Sequence, residues 1–113
     1  MAIIKDPLPA TGLTAAGTTI TDALQLNAAI NFVDTAAASS GVKLPPNAAV
    51  GSVVVVINRG ANALNVYPAT STGTINGGAA GAAKSLAVTD YSTRSRAFFC
   101  AGSDVWVALG AAA

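Results

Sequence analysis

The stretch Val53-Val54-Val55-Val56-Ile57 sets five β-branched residues in a row, side chains whose restricted χ1 suits a pleated strand better than a helix. Polar residues do not alternate within the run. It therefore reads as a strand covered on both faces, either central in a sandwich or lying against a subunit interface. It is also far shorter than the roughly 18 apolar residues that cross a bilayer, so no membrane partner is expected. Asn58-Arg59-Gly60-Ala61-Asn62 follows, carrying residues that accept positive φ, and then Ala63-Leu64-Asn65-Val66-Tyr67-Pro68. This pattern predicts a β-hairpin between 52–58 and 63–68.

The same alternation extends along the chain. Ile20, Leu24, Leu26, Ala28, Ile30 and Phe32 interleave with Thr21, Gln25, Asn27 and Asn31, the period of strands with one buried face. A helix is the competing pattern, with Ala23, Leu26, Ile30 and Val33 on one face and Thr21 or Asp22 as N-cap. Strands are preferred because no Lys or Glu solvates a helix face. Val42-Lys43-Leu44 reads as a short strand stopped by Pro45-Pro46. Residues 69–83, with four glycines and Ile75 as their one large hydrophobe, read as a long loop with at most a short extended stretch. Short strands are expected at 85–88, 93–101 and 105–109, the last two forming a hairpin across Gly102-Ser103-Asp104, with Asp90-Tyr91-Ser92 as a turn. The sum is an all-β chain of about seven or eight strands, a compact β-sandwich or jelly-roll-like domain over 13–110. Its 113 residues suffice for one such domain. Pro7 and Pro9 make residues 1–12 an extended N-terminal arm, whose Ile3, Ile4, Pro7 and Leu8 are the candidate partner-binding residues; the alternative is a frayed end. Residues 111–113 are expected to fray.

Charged residues make up only 10% of the chain, the net charge is +1, and there is neither His nor Glu. Nucleophilic catalysis by Ser-His or Cys-His pairs is thereby closed, and zinc lacks its usual ligands. Asp6, Asp22, Asp34, Asp90 and Asp104 are spread over turns and strand edges, where capping is the common role. Gly73 to Gly81 is not followed by the Gly-Lys-Ser/Thr of a phosphate loop. No catalytic activity, metal or cofactor is expected. Lys5, Lys43, Arg59, Lys84, Arg94 and Arg96 stand singly and form no basic stripe, so nucleic acid is not an expected partner. Arg94 and Arg96 either meet a neighbouring subunit's carboxylate or sit on a solvated face. Cys100, the single cysteine, lies in an apolar run and reads as a buried thiol. The amino terminus has a charge and two prolines where a secretion signal needs an apolar run. A surface so poor in charge reads as one covered by other subunits.

Gly41-Val42-Lys43-Leu44-Pro45, then 53–68, then Ile75-Asn76-Gly77 and Trp106 resemble small β-structured virion proteins of tailed bacteriophages, most of all head decoration (cement) proteins. The resemblance covers about residues 13–109. It implies a structural role on the outer surface of the capsid, in a protein made in the host cytoplasm. It further implies the major capsid protein lattice as partner, and a homotrimer matched to three-fold positions of the shell. Such modules also occur in phage tails and fibres. The alternative function is therefore a tail-fibre or surface module that binds receptor glycans through Tyr67, Tyr91 or Trp106.

Overall fold

A computed structural model describes residues 9–88 and 94–109. These fold without helices into ten strands: β1 (Ala10–Thr14), β2 (Leu24–Gln25), β3 (Ile30–Thr35), β4 (Gly41–Lys43), β5 (Val53–Asn58), β6 (Leu64–Tyr67), β7 (Thr74–Ile75), β8 (Lys84–Leu86), β9 (Ser95–Gly102) and β10 (Val105–Leu109). The all-β expectation holds, with more and shorter strands than the sequence pattern suggests. The competing helix over 20–33 is absent: the chain turns at Thr19 and forms β2 and β3 instead. The boundary placed at residue 12 falls inside β1, whose Ala10 already pairs with Asn31.

Strands β1 to β6 alternate between two sheets. One sheet has the order β1-β3-β5-β9-β10-β7 and the other β2-β4-β6-β8. Within each, the first three strands run parallel, so the chain winds as a coil of three turns with one strand per sheet in each turn. Antiparallel β8 closes the smaller sheet against β6, and the β9–β10 hairpin extends the larger one from β5.

The expected hairpin between β5 and β6 is therefore incorrect: the two strands lie in different sheets. The cause is the corner after β5. Arg59 N–H donates to Val33 O, which prolongs the parallel ladder with β3 by one residue. The fully buried Asn58 then holds the bend, its Oδ1 accepting from Gly60 N–H and its Nδ2 donating to Asn62 O and Leu86 O. Gly60 passes so close to the corner below it that a Cβ would lie 2.6 Å from Ala36 N. Asn62 Nδ2 in turn donates to Ala36 O, which ties the two corners together. Asn and Gly are here because the chain crosses between sheets, not because it reverses within one.

The core lies between the sheets. Val33, Val54, Val56, Phe98, Cys100 and Trp106 come from the larger sheet, and Val42, Leu64, Val66 and Leu86 from the smaller. β5 follows an alternating pattern despite its unbroken apolar sequence: Val54 and Val56 are buried and Val53 is exposed. Among the described residues, the side of β5 that carries Val53 faces away from the core. Cys100 is buried as expected, its Sγ donating to Gly102 O at 3.1 Å.

Candidate interaction surface

Four adjacent strands of the larger sheet turn apolar residues outward in register. Val53, Phe99 and Val107 form one cross-strand row, and Ile30, Val55, Ala97 and Leu109 the next. The period of two dictates this arrangement: once Val54, Phe98, Trp106 and Ala108 face the core, their chain neighbours must face out. Val53, Phe99, Val105, Val107 and Leu109 remain 37–43% exposed and side by side form a contiguous apolar patch of the kind that marks an interaction surface. No charged side chain interrupts these two rows.

One rim of the face carries its own neutral ion pair. Arg59 Nε meets Asp34 Oδ1 at 2.5 Å, and the guanidinium lies 4.5 Å above the Phe32 ring. The hydrogen bond from Arg59 holds the Asp34 carboxyl below its ordinary pKa; slight burial opposes this, while the charge of Arg59 and the Gly12 N–H assist it.

The remaining charged groups near the sheet ends hold the main chain. Arg94 donates to Asn58 O and Gly60 O, and Arg96 to Leu109 O and Ala108 O. Both arginines thus serve backbone carbonyls at strand ends. Asp104, at φ 52° in the β9–β10 turn, accepts from Ala69 N–H, Thr70 N–H, Thr70 Oγ1 and Trp106 Nε1. Burial raises the Asp104 pKa, but these donors outweigh it and hold the carboxyl below its usual value. An open cleft of about 590 Å³ adjoins this turn, lined by Pro46, Asn47, Val50, Thr72 and Asp104 among others. Its one carboxylate is already saturated with donors, so the cleft offers no evident acid or base. A smaller recess of about 240 Å³ lies at the open end of the coil, beside Leu13, Leu26 and the buried Asn31. Among the described residues, no three His, Cys, Asp or Glu side chains gather at one place. No helix there is long and apolar enough to cross a membrane.

Of the sequence candidates, Ile3, Ile4, Pro7, Leu8 and Tyr91 lie outside the described residues. Trp106 is a correction: it is 1% exposed in the core with its indole N–H bonded to Asp104, so its ring cannot stack on a sugar. Tyr67 is half-buried and donates from its hydroxyl to Thr18 O. Tyr67 and Trp106 do not form a common aromatic platform. The sequence pattern at 53–57 indicated cover on both faces, with a subunit interface as one reading, but it did not bring in β9 and β10, whose Phe99, Val107 and Leu109 complete the outer face.

Compared with known proteins, the chain matches no family model, no curated protein and no solved structure.

Proposed function

We propose that this protein is a non-catalytic structural component of a bacteriophage virion, a decoration protein that seats on the capsid lattice and resists its disruption. The observation that carries the reading is the pair of apolar rows on the outer face of the larger sheet. Exposed side by side, Val53, Phe99, Val107 and Leu109 fit a component whose surface is completed by protein contact. The resemblance of 41–45, 53–68 and Trp106 to virion proteins supplies the setting, the outer surface of the head. The sheets would act in it as a rigid sandwich-like body, with Asp104, Arg94 and Arg96 spent on holding turns and strand ends. A decoration protein touches several capsid subunits at once, so weak separate contacts combine into firm attachment on the assembled lattice.

The glycan-binding alternative is less well supported, because the chain's one tryptophan belongs to the core. Quantitative mass spectrometry of purified virions separates the two. Hundreds of copies per particle, retained in tailless heads, fit decoration. A handful of copies that leave with the tails would overturn it.

A further inference from the structure

We infer that the outer face of the six-stranded sheet packs against the same face of a second copy of this chain, across a two-fold axis. This rests on the reading of that face as a protein-contact surface and names its occupant.

Three observations select a second copy. The first is shape: rows of Val, Ile, Phe and Leu on a pleated sheet interdigitate best with a like sheet about 10 Å away, and another copy supplies one. The second is charge. The rows Val53-Phe99-Val107 and Ile30-Val55-Ala97-Leu109 hold no ionisable group, the rim pair Arg59–Asp34 neutralises itself, and Arg96, which lines a recess beside Val55 and Leu109, is held by the carbonyls of Ala108 and Leu109. Two such faces meet without like-charge repulsion, and nothing on them selects a charged partner. The third is area: with five large hydrophobes 37–43% exposed and their less exposed neighbours, the face offers about 500 Å² per copy, so pairing buries about 1,000 Å², the lower bound for a specific interface. A three-fold arrangement would set this face against a different surface of the neighbour, and among the described residues only Val50 and Val88 of the exposed large hydrophobes lie outside its strands. Pairing through one face also leaves the 46–50 and 70–72 loops and the opposite sheet available for a shell.

The test is the association state of the full chain by native mass spectrometry and sedimentation, from low micromolar to about 100 μM, alongside binding to undecorated heads. The wild type should form a dimer. Val107→Lys and Leu109→Lys, on outward positions, should keep the circular dichroism of the wild type and weaken association by at least about 100-fold, since two lysines would be desolvated against apolar groups. Val50→Lys, equally apolar and 72% exposed but off this face, should leave the dimer intact. A wild-type chain that stays monomeric or forms trimers overturns the inference, as does a dimer indifferent to Val107→Lys. Should the lysine variants fail to fold, the wild-type concentration series still decides. A monomer that saturates heads overturns the pairing alone. A face-dependent dimer that ignores heads upholds the pairing and removes the decoration reading.

Discussion

Removing the Asp104 carboxylate should destabilise the protein more than any other exposed-turn substitution. The carboxylate joins the β9–β10 turn to residues 69–70 and to the core tryptophan through four donors. In Asp104→Ala the indole N–H of the buried Trp106 loses its partner, which costs about 1–3 kcal/mol, while the partly exposed Ala69 and Thr70 N–H groups recover water and add about 1 kcal/mol. The expected loss is about 2–4 kcal/mol. Asp104→Asn should lose roughly half of that. Its Oδ1 still accepts from Ala69 and Trp106, and Asn tolerates φ 52°, but an NH₂ now faces the Thr70 N–H. The assay is urea unfolding at fixed protein concentration, followed by the fluorescence of the single tryptophan. The pH dependence has a definite sign. Because the folded carboxyl titrates below its ordinary value, its contribution is present above the usual carboxylate range and lost as pH falls through the lower folded pKa. The gap between wild type and Asp104→Asn should therefore narrow as pH falls below the ordinary carboxylate range. A variant within about 0.5 kcal/mol of wild type at neutral pH, or a gap unchanged in acid, refutes the reasoning.

Gly60→Ala should destabilise by about 1–3 kcal/mol in the same assay, because its Cβ would meet the backbone of Ala36, whereas Gly102→Ala, with 3.4 Å of room, should cost less than half as much. Cys100 should resist a thiol reagent in the folded protein and react on unfolding; rapid labelling under native conditions would contradict its burial. Asp34→Asn should flatten the acid limb of the stability curve, since the ionised Asp34 stabilises above the ordinary carboxylate range and that support fades as pH falls through its lowered folded pKa; equal acid limbs would show the Arg59 pair to be inert.

Local strand character was legible and long-range pairing was not, for a physical reason visible at two turns. Gly102-Ser103-Asp104 and Asn58-Arg59-Gly60 both carry residues suited to positive φ or tight bends. The first makes a hairpin: Asp104 takes φ 52°, β10 pairs antiparallel with β9, and the Asp104 carboxylate braces the turn on Trp106 and on residues 69–70. The second makes a corner because Asn58 bonds to Leu86 and Asn62, groups beyond the turn itself. Turn chemistry reports that the chain bends, while tertiary partners decide in which plane. The coil was hidden because its turns differ in length: Leu24, Val42 and Val66 align in the smaller sheet with unequal spacing, so no repeat marks the sequence. The outer face was half legible. An unbroken run at 53–57 indicates apolar cover on both sides, and only the register of β9 and β10 distinguishes the core side from the side left outward.

The most direct measurement is the binding of purified protein to undecorated mature heads, compared with its binding to dissociated capsid subunits. Attachment that needs several lattice contacts at once predicts saturation at symmetry-related sites, a raised disruption temperature for the decorated heads, and no measurable affinity for separate subunits. Binding to host cells or isolated glycans, with none to heads, would contradict it.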